Sequence, residues 1–212
     1  MLAAANLECV RGDRTLFSDL SFTLGGGELL RVAGANGSGK TSLLRILCGL
    51  LSPAQGAVLW RGSSISSLRE EYWKEIVYLG HSNAVKDGLT ALENLMVACT
   101  LAGMKVGHEQ ASAALRCFGL AECEALPAKV LSQGQRRRVS LARLILSQHL
   151  PLWILDEPFT ALDAAAVDYM QTLIAGHVAR GATVVLTTHQ EVRIASASTV
   201  TIDLNARTVL AC

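Results

Sequence analysis

Eight consecutive residues, Gly34-Ala35-Asn36-Gly37-Ser38-Gly39-Lys40-Thr41, fit the pattern G-x-x-x-x-G-K-[ST]. Glycines at these positions let successive backbone N–H groups turn inward around phosphate oxygens, and a helix opening behind them adds its positive end. Lys40 would neutralise β- and γ-phosphates, the Thr41 hydroxyl would ligate a divalent cation, and Ser42 follows in the same helical turn. A second constellation stands at 151–158, where the apolar run Leu152–Leu155 delivers Asp156 and Glu157 before Pro158 stops further ladder pairing. A carboxylate ending a buried strand can hold Mg²⁺, often through water, so Asp156 is the candidate cation ligand. Its neighbour Glu157 is placed to polarise an attacking water as general base. Acidic pairs at strand ends are common, and this one gains weight from its separation from the phosphate loop by a whole helical stretch.

The elements needed to position these groups follow from hydrophobic pattern. Short strands are expected at Leu7–Val10 and Leu20–Leu24, the second with Leu20, Phe22 and Leu24 alternating with polar residues, and a further apolar strand at Glu28–Ala33. From Thr41 onward Leu43, Leu44, Ile46, Leu47, Leu50 and Leu51 recur at helical spacing, so the phosphate pattern lies between strand and helix. Strands at 56–60 and 76–80 bracket a helix for which Ser67 and Glu70 are spaced as a capping box. Residues 85–130 are helical in pattern, with Thr90 and Glu93 as another capping box. Strands return at Leu152–Leu155 and Thr183–Leu186, followed by an edge pair near 199–204 and 207–211. This order predicts an α/β core with an N-terminal antiparallel β subdomain, carrying an inserted all-helical subdomain at about residues 85–145 within one domain of 212 residues.

A third motif narrows the class. Leu131-Ser132-Gln133-Gly134-Gln135 precedes Arg136-Arg137-Arg138 and a helical pattern through Val139, Leu141, Ala142, Leu144 and Ile145. Three arginines opening a helix oppose its dipole, a conflict more readily accepted if that helix end serves a ligand. Here the chain resembles the ATP-binding cassette (ABC) family, whose signature is L-S-G-G-Q. The resemblance covers nearly the whole chain and implies a P-loop NTPase fold, bound ATP and Mg²⁺, and ATP hydrolysis. It also implies a homodimer in which Ser132, Gln133, Gly134 and Gln135 of one subunit cap the γ-phosphate held by the other subunit's phosphate loop. Ala161-Leu162-Asp163 matches the family's D-loop, which communicates across that dimer, and His189 matches the switch histidine that contacts the γ-phosphate.

The departures from the family pattern point further. His81 occupies the place of the usual Q-loop glutamine; histidine can hydrogen-bond a metal-bound water, or ligate Mg²⁺ as the softer choice. Arg11 falls where the family has its adenine-stacking aromatic, and a guanidinium can stack on a base, with Phe17 as the substitute. Gln133 replaces a signature glycine. Together with Leu89–Leu95, Leu152–Ala161 and Thr187-Thr188-His189-Gln190, these residues are similar to one subfamily, the ATP-binding subunits of cytochrome c maturation systems. That similarity implies haem export, or release of a haem-loaded chaperone, driven with a polytopic membrane permease subunit and other cytochrome c maturation membrane proteins. No haem-attachment pattern C-x-x-C-H is present.

Composition agrees with a folded partner-binding subunit. Half the residues are hydrophobic and 17% are charged, enough apolar surface to offset folding entropy. Lys+Arg 19 against Asp+Glu 18 leaves no basic field, so no nucleic-acid partner is expected. The apolar excess suggests a partner surface or an Ala- and Leu-rich core. The opening MLAAANLECV lacks a basic n-region, and six cysteines without C-x-x-C pairs fit reduced thiols. With the resemblance, this places the chain peripherally on the cytoplasmic face of the inner membrane. The alternatives are a non-transport ABC ATPase of an assembly or repair complex and a small-molecule kinase. The first lacks its usual tandem cassettes here, and the second leaves Ser132, Asp163 and His189 unexplained.

Overall fold

The computed structural model describes residues 1–196, 198–205 and 208–211, the last four by backbone alone. Strands β1 (Leu2–Arg11) and β2 (Arg14–Leu24) form a hairpin across Gly12-Asp13, longer than the short strands expected because the pattern is broken by bulges along β1. Next come β3 (Glu28–Ala33), α1 (Lys40–Leu47), β4 (Gln55–Trp60) and β5 (Ser63–Ser64). The expected Ser67–Glu70 capping box does not form. Ser67 Oγ donates to Ser64 O instead, and Arg69 at φ 41° breaks the segment into α2 (Ile65–Leu68) and α3 (Glu70–Trp73). Strand β6 (Ile76–Leu79) leads into the helical stretch: α4 (Ala91–Leu101), α5 (His108–Cys117) and α6 (Gln133–Leu146). The chain ends in β7 (Leu152–Asp156), α7 (Ala164–Ala179), β8 (Thr183–Thr187), β9 (Ser198–Asp203) and β10 (Thr208–Ala211). The edge pair is thus present, with Arg207 outside the described residues.

Two sheets result. The antiparallel one runs β2-β1-β4-β5; the larger runs β10-β9-β3-β8-β7-β6, parallel except for the β9–β10 pair. Every residue of β7 and β8 is buried, as central parallel strands covered on both faces must be. Side chains alternate between faces, so Leu152 and Ile154 pack with α1 (Leu43, Leu44, Leu47) toward the antiparallel sheet. Trp153 and Leu155 pack on the opposite face, in the core that also takes in Leu95, Leu115, Leu141 and Ile174. Among the described residues no helix is long and apolar enough to cross a membrane. The described cysteines are free, with Cys117 exposed rather than buried, and Cys212 lies outside the described residues.

The Thr90 capping box does form: Glu93 N donates to Thr90 Oγ1 at 3.1 Å, and Thr90 N to Glu93 Oε2 at 2.8 Å. Thr90→Ala therefore is expected to cost about 1 kcal/mol of stability. A urea midpoint unchanged between the two proteins would show that solvent satisfies those groups equally well.

Candidate active site

The carboxyl ends of the parallel strands gather the chemistry, as open α/β sheets do. The phosphate pattern follows β3; Asp156 ends β7; Thr187 ends β8 with His189 beyond it; His81 follows β6. Register makes the alignment: Asp156 pairs with Thr187, and Thr187 with Val32, one residue before the end of β3. A cleft of about 580 Å³ lies there, lined by Asn36, Gly37, Gly39, Lys40, Thr41 and Ser42 from the loop and α1. His81, Asp156, Glu157 and His189 line its other walls, joined by Leu16, Thr160 and Gln190, to which sequence reasoning assigns no site role.

The loop's shape is enforced sterically. Gly39, the residue before α1, sits at φ 107°, and a Cβ there would come within 3.2 Å of Leu16 and Phe17 side chains. Gly34 sits at φ 144°, where a Cβ would lie 2.5 Å from Ser38 Oγ. The opening N–H groups of α1 have no carbonyl behind them to bond. Lys40 is 9% exposed, and its Nζ donates to Gly34 O at 2.8 Å and Ala35 O at 3.1 Å, over the same loop. Ser38 Oγ is buried without a hydrogen-bond partner.

The acidic wall is a short network. Thr41 Oγ1 donates to Asp156 Oδ2 at 2.8 Å, and Thr187 Oγ1 donates to Asp156 Oδ1 at 2.8 Å. Thr187 Oγ1 also accepts the Glu157 N–H at 2.9 Å, so one hydroxyl fixes both acids. Glu157 itself has φ 49°, a left-handed conformation that a residue with a side chain adopts only at a cost. Its Oε2 accepts the His189 backbone N–H at 3.2 Å, while Oε1 is buried with no hydrogen-bond partner, 3.5 Å from His189 Nε2. One carboxylate oxygen is thus anchored and the other left free to accept.

These donors fit a nucleotide with a hard divalent cation. A carboxylate and a hydroxyl meeting at Asp156 and Thr41 leave most of a six-oxygen shell to phosphates and water, the preference of Mg²⁺. Among the described residues no group of three His, Cys, Asp or Glu gathers, so a transition-metal cage is not the pattern.

The remaining sequence candidates are divided between two places. Phe17 is 2% exposed in the core between the sheets, which removes it as an adenine platform. Arg11 is exposed at the β1–β2 turn and does not line the cleft, whereas His81 does. Ser132, Gln133, Gly134, Gln135 and Asp163 do not line it either. They cluster together instead: a Cβ on Gly134 would lie 2.6 Å from Ala161 O. Ser132 opens α6 with a capping box, its Oγ accepting the Gln135 N–H at 3.1 Å while Gln135 Oε1 accepts the Ser132 N–H at 2.8 Å. The S-x-x-Q spacing was the available signal. Ser132 still has its own O–H to donate. Asp163 caps α7 by accepting the Ala166 N–H at 2.9 Å.

The three arginines at the start of α6, whose conflict with the helix dipole stood out in the sequence, are each engaged within the chain. Arg136 pairs with Asp87, Arg137 is buried among backbone carbonyls, and Arg138 donates to Phe118 O and lies 3.8 Å from Asp163. Each has a protein partner that relieves its conflict with the helix dipole.

Residues 17–160 match the ABC transporter family. The chain is 54% identical over 202 residues to "Cytochrome c biogenesis ATP-binding export protein CcmA" of Nitrosomonas europaea, covering 95% of this chain and 93% of the relative. The protein of the same name from Dechloromonas aromatica is 55% identical, covering 92% and 95%. Among solved structures, "Dimeric structure of a post-hydrolysis state of the ATP-binding cassette MJ0796 bound to ADP and Pi" superposes with a TM-score of 0.81 at 25% identity, covering 95% of this chain and 94% of that one. "Structure of ATP binding subunit of ABC transporter" gives 0.82 at 26% identity, covering 94% and 85%. Glycine loop, paired acids and capped signature helix thus stand in a chain that belongs to the ABC transporter family, as an ATP-binding, ATP-hydrolysing cassette.

Proposed function

We propose that this chain is the ATPase subunit of a membrane ABC complex acting in cytochrome c biogenesis, powering haem export or the release of a haem-loaded chaperone. The observation that carries the biological role is similarity above 50% along nearly the whole chain to relatives named for that process. The observation that carries the chemistry is Glu157, with Oε2 anchored by His189 N–H and Oε1 buried without a hydrogen bond, facing the His189 ring.

In this reading the backbone donors from Gly34 to Ser42 cradle the β- and γ-phosphates, and Lys40 neutralises the charge that grows on them in the transition state. Thr41 and Asp156 would hold Mg²⁺, which supplies further charge neutralisation at the phosphate oxygens; His81 would contact it or its water. Glu157 Oε1 accepts a proton from the attacking water, and His189 steadies both that carboxylate and the γ-phosphate. Ser132, Gln133, Gly134, Gln135 and Asp163 do not line their own chain's cleft, so they would serve the nucleotide of a second copy in a homodimer. ATP favours that closed pair through γ-phosphate contacts absent from the open one, and hydrolysis removes the difference. The one domain, with its helical insert at 85–145, would pass this movement to a polytopic membrane subunit from the cytoplasmic face of the inner membrane.

Affinity isolation of the full chain from detergent-solubilised membranes tests the role. Recovery with a polytopic subunit and cytochrome c assembly proteins, with haem absorbance in the complex, is the expected result. Recovery alone from the soluble fraction with ATPase activity intact would remove the membrane role and leave the cassette chemistry standing.

A further inference from the structure

Arg137 is 3% exposed and makes no ion pair among the described residues. Its guanidinium instead grips oxygens from two separate segments. Nη2 donates to the backbone carbonyls of Asp156 at 2.9 Å and Glu157 at 2.7 Å. Nη1 donates to the carbonyl of Gly80 at 3.1 Å and to Asn83 Oδ1 at 3.4 Å. Burial lowers the basicity of this arginine, and the nearby charges of Asp156 and Glu157 oppose that effect. Burying a guanidinium is expensive, so a site that does it for packing alone would be better served by an apolar side chain. A planar fork that donates in two directions does something an apolar side chain cannot.

The gripped oxygens flank the reaction. One carbonyl belongs to the candidate cation ligand, one to Glu157, and one to the residue before His81. Glu157 is the point of need, because its left-handed backbone, φ 49°, is not one it would keep unaided. Its N–H is held by Thr187 Oγ1 at 2.9 Å and its C=O by Arg137 Nη2 at 2.7 Å, so the peptide groups on both sides of its Cα are fixed. Arg137 lies on α6, five residues after Ser132, the residue that caps that helix. We infer that Arg137 is a positioning residue for ATP hydrolysis: it clamps the strained backbone of Glu157 and ties the His81 loop to it. The signature helix, the base and the His81 loop then move as one body when α6 moves. The inference rests on the reading of Glu157 as general base.

The test uses the full chain, measuring steady-state phosphate release, affinity for a fluorescent ATP analogue, and melting temperature. For Arg137→Gln and Arg137→Lys, kcat is expected to fall roughly tenfold or more, with KM for ATP and analogue affinity changed by less than about threefold, because small displacements of a base cost rate rather than binding. Adding Arg137→Gln to Glu157→Gln should slow the residual reaction no further, since both act through one carboxylate. Arg137→Gln with kcat within about twofold of the parent, while Glu157→Gln is inactive, would overturn the clamp and leave the base standing. Parental kcat in Glu157→Gln would overturn the base reading first. A lower melting temperature with unchanged kcat per nucleotide-binding site would make Arg137 a core residue and overturn the inference, as would failure of both variants to fold.

Discussion

Glu157→Gln is expected to reduce kcat by about 10²–10⁴-fold while leaving ATP affinity within roughly a factor of three. The substitution is nearly isosteric, and the amide carbonyl can still accept the His189 N–H that now goes to Oε2 at 3.2 Å. The other end of the amide becomes an NH₂, which donates and cannot take a proton from water. It replaces Oε1, the buried oxygen with no hydrogen-bond partner of its own. Binding should survive because Lys40, Thr41 and the loop N–H groups are untouched, and Asp156 keeps its bonds to Thr41 and Thr187. If two copies enclose the nucleotide, the variant should also accumulate as an ATP-bound dimer in size-exclusion chromatography, because the step that opens the pair is blocked. Phosphate release at the parental rate would move the base to another group.

That prediction draws on what was legible in the sequence. The phosphate loop, the acids after a buried strand and the histidine after another each depend on a local transition, from strand to loop or loop to helix. Such transitions leave marks within a few residues: Gly39 before Lys40, Pro158 after Glu157, paired threonines before His189. Tertiary consequences left no such mark. Arg136, Arg137 and Arg138 are chemically identical in sequence, yet one pairs with Asp87, one is buried beneath Asp156 and Glu157, and one faces Phe118 and Asp163. The packing of α6 against α4, α5 and β6 decides which is which. Phe17 illustrates the same gap, since the hairpin's bulges turn it into the core rather than toward a base. Thr187 stands in the sequence beside His189, but its bonds to Asp156 and Glu157 need β8 to lie beside β7 in the right register. The Ser67–Glu70 spacing met the capping rule, but Arg69 between them left the helical region, so spacing alone misled.

Lowering the pH from about 6.5 to about 4 should remove roughly 3 kcal/mol of stability through one residue, His177. This imidazole lies 1% exposed in the last turn of α7, stacked on Trp153 with ring centroids 3.7 Å apart and planes 14° apart. Both ring nitrogens are buried without hydrogen-bond partners. Burial pushes its pKa down to about 4, the Arg180 charge pushes the same way, and the backbone at Leu150 opposes them weakly. A histidinium would gain from the carbonyl end of α7, but that benefit is about 0.3–1 kcal/mol and at most about 2. Desolvation is larger, so the ring stays neutral in the folded chain. The sign follows from proton counts. Between the unfolded pKa of about 6.5 and the folded value of about 4, the unfolded chain binds the extra proton. The contribution is therefore complete above about pH 6.5 and drains away as pH falls through that window. The comparison is with His177→Phe, which keeps a flat ring over Trp153 and removes the proton site. Urea denaturation at pH 7.5 and 4.5 should show the variant losing about 2–3 kcal/mol less than the parent on acidification. Equal losses would mean that His177 is already protonated, or reaches water, in the folded state. Because Trp153 belongs to the strand that ends in Asp156, the acid-weakened contact adjoins the β7–β8 pairing that positions Asp156 and the candidate base Glu157 beyond it. Loss of nucleotide binding should then accompany unfolding on acidification rather than precede it.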